Sequence, residues 1–109
     1  MTYFLKDSER DGTCFYEFQK GNWKEQSYWK ADSILIEDVN YDSYIYDAVG
    51  PVLENYDHYG VNIVTPEQWD MILNKADAIG GKVKEAIAEA DVWVKKTFQE
   101  HNSFTILGV

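Results

Sequence analysis

The chain has 109 residues, of which 45% are hydrophobic and 16% aromatic, and it carries a formal net charge of −9. This length predicts one domain spanning residues 1–109, and the apolar content excludes a disordered chain. The negative charge argues against binding to nucleic acid or anionic lipid, because phosphate would be repelled, and no run reaches the ~18 apolar residues of a membrane span.

The first forty residues have the pattern of β-strands. Asp-Gly at 11–12 is a hairpin-turn dipeptide, and the alternation over 13–19 that follows it puts Cys14 on the face of the core. A weaker alternation over 23–30 predicts another strand, and the apolar run at 33–37 predicts a buried one. We therefore expect an antiparallel meander of three or four strands.

Residues 42–57 have the apolar periodicity of a helix. Gly50-Pro51 interrupts it, since proline lacks the backbone donor and clashes with the preceding turn. We expect either a kink there or two short helices, with Pro51 at the first position of the second. The apolar stripe comprises Ile45, Ala48, Val49, Val52, Leu53 and Tyr56.

The remaining elements are a strand, two helices and a final strand. Residues 60–64 predict a short strand, and Thr-Pro-Glu-Gln at 65–68 is a capping box that begins a helix. Gly80-Gly81 ends that helix, a second helix runs to about Asn102, and 104–107 predicts a last edge strand. The fold class is therefore α+β, an antiparallel β-meander followed by helices in a single compact domain.

All of the net charge lies in one stretch, residues 31–74, which holds nine acids, no Lys or Arg, and five of the eight tyrosines. Acid interleaved with tyrosine is typical of a surface that binds a basic protein. On a helix over 42–57, three acids would share one polar ridge with tyrosines at its margins. The alternative is an ordinary solvated acidic face. The predicted partner-binding residues are Asp42, Tyr44, Tyr46, Asp47, Glu54, Asp57 and Tyr59.

Motifs that carry chemistry are missing from the sequence, which has neither a phosphate-binding loop nor a GxSxG elbow. His58 follows Asp57, but no second His lies at metal-ligand spacing. The sequence therefore predicts no catalytic residue, no metal and no cofactor. The single Cys14 cannot form an internal disulfide, and the N-terminus lacks a secretory pattern, so we expect a cytoplasmic protein.

The chain resembles the small acidic immunity proteins of bacterial polymorphic and contact-dependent toxin systems. The resemblance rests on the length, on the Tyr- and Asp-rich segment 38–44, and on the segment 60–69. It implies a cytoplasmic protein that binds and blocks one cognate toxin, often a nuclease with a basic active site. The implied partner is the C-terminal toxin domain encoded by a neighbouring gene.

Two other functions remain open from the sequence. An acidic surface also suits a nucleic-acid mimic or a regulator of a basic protein, which would bind several DNA-binding proteins rather than one toxin. The aromatic residues of the predicted sheet instead suit a small ligand-binding domain or enzyme. These aromatic residues are Phe15, Trp23, Tyr28 and Trp29.

Overall fold

The apolar runs of the sequence form one antiparallel sheet in a computed structural model, which describes residues 1–23 and 27–108. Four strands lie in the described part of the chain, in the order β2-β1-β4-β3. Their register aligns Phe18 with Ile34 on one side and with Ile106 on the other. The strands are β1 (Phe15–Lys20), β2 (Ile34–Glu37), β3 (Val61–Val64) and β4 (Phe104–Leu107).

The helices cover one face of this sheet. They are α1 (Asp38–Tyr44), α2 (Tyr46–Val49), α3 (Pro66–Ile79) and α4 (Gly81–Phe98), and a short 3-10 helix spans Asp7–Glu9. The core between the layers is rich in aromatic rings: Trp69 and Trp93 meet Phe104 edge-on, at centroid distances of 5.5 and 5.7 Å. The predicted α+β fold, a single compact domain, is confirmed.

The opposite face of β1 is buried as well. Its Glu17 carboxylate accepts hydrogen bonds from the Trp29 and Lys30 backbone N–H groups, at 2.8 and 2.9 Å, and from Ser33 Oγ at 2.7 Å. A buried charge is tolerated when donors satisfy it in this way. The segment preceding β2 is thereby held against the outer face of the sheet, so β1 has no solvated face.

Three expectations for the N-terminal region are wrong. Residues 27–30 do not form a strand, since 28 and 29 form a bend, and residues 24–26 of the predicted 23–30 strand lie outside the described residues. The turn at 11–12 does not join two paired strands, because Leu5 pairs with Leu35 instead. Cys14 is exposed, since it lies just ahead of β1 and outside the helix-covered core.

The helical region after β2 divides earlier than expected. α1 ends at Tyr44 and α2 at Val49, so the division falls at Ile45, and residues 51–55 form turns. Pro51 therefore does not begin a helix; its missing N–H is consistent with the end of α2 just before it. The apolar stripe is nevertheless directed inward, with Ile45 and Val49 completely buried.

The C-terminal elements follow the sequence signals closely, apart from the position of β4. Thr65 Oγ1 accepts from the Gln68 N–H, and Gln68 Oε1 accepts from the Thr65 N–H, which confirms the capping box. Gly80, at φ +73°, separates α3 from α4, which ends at Phe98, four residues before the expected Asn102. β4 is not an edge strand: all four of its residues are buried between β1 and β3.

Candidate partner-binding surface

The acidic stretch reaches solvent from α1, α2 and the turns that follow them. Asp42, Asp47, Glu54 and Asp57 are all exposed, and the side chain of Tyr59 is 79% exposed. The expected ridge on a single helix is wrong, because residues 51–57 are not helical. Glu54 and Asp57 reach the surface from turns instead. These four carboxylates, together with exposed Tyr46 and Tyr59, make up the acidic surface.

Tyr44 is turned away from the other predicted binding residues. Its ring is half-buried and packs edge-on against Tyr3, at a centroid distance of 5.4 Å. The Lys82 ammonium lies 5.8 Å from the centroid of the Tyr44 ring. Tyr44 therefore joins α1 to the N-terminal segment and α4, while Tyr46 lies with His58.

The carboxylates of the acidic surface have no lysine or arginine partner among the ion pairs of the described residues. Asp42 Oδ1 lies 3.3 Å from His58 Nε2. The ion pairs of Lys and Arg involve other carboxylates, in Arg10–Asp7, Lys20–Asp32, Lys84–Asp77 and Lys95–Asp91. The negative charge of this surface is therefore available to an external cation.

His58 lies at the centre of a group of tyrosines beneath the acidic surface, here called the His58 cluster. Its Nε2 is 2.9 Å from the hydroxyl of Tyr16 on β1. Tyr16 stacks on Tyr41 of α1, with 3.8 Å between ring centroids, and the hydroxyls of Tyr41 and Tyr56 are 2.6 Å apart. The tyrosines in ring contact with His58 are Tyr16, Tyr41, Tyr46, Tyr56 and Tyr59.

Burial keeps the inner tyrosines of the His58 cluster protonated. It raises the pKa of Tyr16 and Tyr41 well above the usual range and that of Tyr56 to about 12. Neutral hydroxyls can donate hydrogen bonds, as Tyr16 does to the His58 carbonyl oxygen at 3.1 Å. The hydroxyl contacts of Tyr16, Tyr41 and Tyr56 hold α1 and β1 against the segment at 56–59.

Asp57 is not the carboxylate that faces His58. Its Oδ1 accepts a hydrogen bond from the Tyr59 N–H at 3.0 Å. Its backbone N–H donates to Asn62 Oδ1, and its carbonyl accepts from Asn62 Nδ2, at 2.8 and 2.7 Å. Asp57 therefore fixes the turn that leads into β3. No pattern in the sequence indicates the pairing of His58 with Asp42 and Tyr16, because the three residues are far apart in the chain.

Two of the four aromatic residues considered for a ligand site, Trp23 and Trp29, make contacts within the fold, while Phe15, Tyr28 and Trp29 line an open cavity. The Trp29 backbone is bound to Glu17, and the Arg10 guanidinium lies 4.1 Å from the centroid of the Trp29 ring. The Trp23 backbone N–H donates to Thr105 Oγ1 of β4 at 3.0 Å. These contacts attach the segments on both sides of the undescribed residues 24–26 to the outer face of the sheet.

Comparisons of the chain with protein-family models, with curated proteins and with solved structures find no match. Across residues 1–23 and 27–108, no group of three or more His, Cys, Asp or Glu side chains is placed to hold a metal ion. None of the helices in these residues is long and apolar enough to cross a membrane.

Proposed function

We propose that the chain is an immunity protein that binds a basic toxin domain through the acidic surface and blocks it, acting in the cytoplasm. One observation carries the proposal: the exposed carboxylates of residues 31–74 lie beside tyrosines, in a stretch without Lys or Arg. A surface that only needed solubility could mix both charges, as the rest of the chain does.

The proposed mechanism is occlusion. The carboxylates would pair with Lys and Arg side chains that otherwise contact the phosphates of the toxin's substrate, and Tyr46 and Tyr59 would pack over them. Complementary charge raises association rates to about 10⁸–10⁹ M⁻¹s⁻¹ at low salt. Tyrosine adds a large contact area at a small cost in conformational entropy.

The structure of the acidic surface supports this mechanism. The His58 cluster joins α1, β1 and the segment before β3, so Asp42, Tyr46 and Tyr59 are positioned before any partner binds. Preorganised side chains lose less conformational entropy on binding, which favours tight association.

The test is co-expression. The C-terminal part of the protein encoded immediately upstream is expressed in bacteria with and without this chain, and growth is scored. Growth arrest that this chain relieves is the expected result. A neighbour that is harmless, or that arrests growth in the presence of this chain as well, would contradict the proposal.

A charge-reversal pair then tests the surface. Glu54→Lys should abolish the relief of growth arrest, because it places a cation among the carboxylates that meet the basic partner. Glu100→Lys makes the same change of charge at an exposed position after α4 and should keep full protection. Circular dichroism and urea unfolding check that both variants fold. Equal protection by the two variants would show that the acidic surface does not bind the toxin.

A further inference from the structure

The two edge strands of the sheet differ in backbone pairing: the outward side of β2 is paired with another segment, and the outward side of β3 is open. On β2, the N–H and C=O of Leu35 both bond to Leu5, at 2.8 Å each. On β3, Gly60 O accepts from the Gly108 N–H at 2.8 Å, and the register pairs Asn62 with Ile106. Antiparallel ladders alternate, so the N–H and C=O groups of Val61 and Ile63 point away from the sheet.

No backbone group in the described residues pairs with this outward side of β3. The side chains of Val61 and Ile63 are 41% and 43% exposed on the outer face of the strand. Proteins usually protect a free edge with lysine, proline or a bulge. The four residues of β3 contain neither lysine nor proline, and its ladder with β4 is regular.

A groove lies along this edge, and Glu54 is the one acidic residue among the described residues that line it. The groove has a volume of about 250 Å³ and lies between the turn that carries Leu53 and Glu54, the strand β3, and Gln68 of α3. Glu54 is exposed and has no ion pair among those of the described residues. A strand added to β3 would therefore have carboxylate on one side and the apolar side chains of Val61 and Ile63 on the other.

We propose that β3 binds an extended, basic segment of the partner as a fifth strand of the sheet. The identity of the partner rests on the proposed function, but the chemistry of the edge does not. Side chains alternate between the two faces of a strand, so the bound segment would alternate Lys or Arg towards Glu54 with apolar residues beside Val61 and Ile63. Backbone hydrogen bonds would supply affinity, and this alternation would supply specificity.

Charge decides between this segment and a second copy of the chain. Pairing two β3 strands edge to edge would bring together two copies that each carry a net charge of −9, concentrated in residues 31–74. Like charges across an interface repel, whereas a segment rich in Lys or Arg is attracted. The free edge therefore suits a basic partner better than self-association.

The first experiment uses the full chain labelled with ¹⁵N and a synthetic eight-residue peptide of alternating Lys and Val. A Glu-Val peptide of the same length is the charge control. The Lys-Val peptide should shift the amide signals of Val61 and Ile63 and slow their hydrogen exchange about tenfold, since these N–H groups become paired. Signals of β3 that stay unchanged at saturating peptide, or an equal response to the Glu-Val peptide, would overturn the proposal.

A matched pair of variants tests the backbone contact. Ile63→Pro removes an N–H that points away from β4, so the ladder with β4 can persist, and it should weaken peptide binding about tenfold. Ile63→Thr keeps the N–H and should bind within about twofold of the wild type. If Ile63→Pro does not fold, Glu54→Gln replaces it. Glu54→Gln should weaken binding of the Lys-Val peptide and leave the response to the Glu-Val peptide unchanged. Unchanged binding in the folded variant would refute the proposed contact.

Failure of this proposal is distinguishable from failure of the proposed function. A peptide that protects β3 while co-expression shows no immunity leaves the open edge as a binding site for a different basic protein. Growth that recovers with wild type and with Ile63→Pro alike keeps the immunity function and overturns the fifth strand. If sedimentation shows that the wild type is dimeric and Ile63→Pro is monomeric, the occupant of the edge is a second copy. That result would also overturn the proposal.

Discussion

The two edges of the sheet differ in whether the outward backbone groups of the edge strand are paired. The β2 edge is closed by the N-terminal segment, whose Phe4 is buried and whose Leu5 completes the pairing with Leu35. Glu89 of α4 holds that segment by accepting the backbone N–H groups of Tyr3 and Phe4, at 2.9 and 2.8 Å. Within residues 1–23 and 27–108, no segment pairs with the outward side of β3 and β3 itself carries no cation. The first edge belongs to the core, and the second is available for binding.

The largest difference between the edges should appear in Phe4→Ala. Phe4 is 2% exposed and meets Phe18 edge-on, with 5.3 Å between the ring centroids. Removing a buried phenyl ring typically lowers the free energy of unfolding by about 3–5 kcal/mol. Ile63→Ala, on the open edge, should lower it by less than about 1 kcal/mol, because the side chain is already partly exposed. Urea denaturation of both variants measures the difference, and similar losses would break the comparison.

A smaller effect is expected from the carboxylate that fastens the closed edge. Glu89→Ala leaves the N–H groups of Tyr3 and Phe4 without their acceptor and should lower the free energy of unfolding by about 1–3 kcal/mol. Glu54→Ala removes an exposed carboxylate beside the open edge and should stay within about 0.5 kcal/mol of the wild type. The measurement is again urea denaturation. Equal effects would show that Glu89 does not fasten the segment.

The smallest of these effects concerns pH and the His58 cluster beside β3. Burial raises the pKa of Tyr56 from 10.0 to about 12, so between these values the folded protein holds a proton that the unfolded chain releases. The contribution of Tyr56 to stability is therefore complete below pH 10 and is lost as the pH rises towards 12. Because Tyr56 is only half-buried, we expect this loss to be under about 1 kcal/mol.

Urea midpoints measured at intervals from pH 9 to 12 test this prediction. The wild type should lose stability across this range, and Tyr56→Phe should lose less, since it has no hydroxyl to titrate. Buried Tyr16 and Tyr41 act in the same direction, so some pH dependence should remain in the variant. A variant as sensitive to alkaline pH as the wild type would contradict the role assigned to Tyr56.

Local sequence signals predicted the parts of the fold that depend on neighbouring residues. The capping box at Thr65 and the helix boundary at Gly80 depend on nearby backbone groups, so the sequence was sufficient to locate both. The central position of β4 was missed because alternation does not specify which strand pairs with which. The burial of Glu17 was missed for a related reason, since its partners lie in the segment before β2.

The candidate site likewise has parts that the sequence predicted and parts that it did not. The exposure of Asp47 and Glu54 was predicted correctly, because both lie opposite the apolar stripe of the helical projection. The His58 cluster and the open edge of β3 depend on tertiary contacts between distant segments, and no spacing in the sequence indicates them. The turns that carry Glu54 also escaped a helical projection, because Pro51 ends the periodicity on which that projection rests.

Amide hydrogen exchange of the chain, alone and bound to the C-terminal domain encoded upstream, tests the central claim most directly. The account predicts that protection is gained at residues 42–63, including the outward amides of Val61 and Ile63, while Leu35 is protected in both states. Protection gained instead at the N-terminal segment and α4, with residues 42–63 unchanged, would contradict the claim that the acidic surface and the open edge bind the partner.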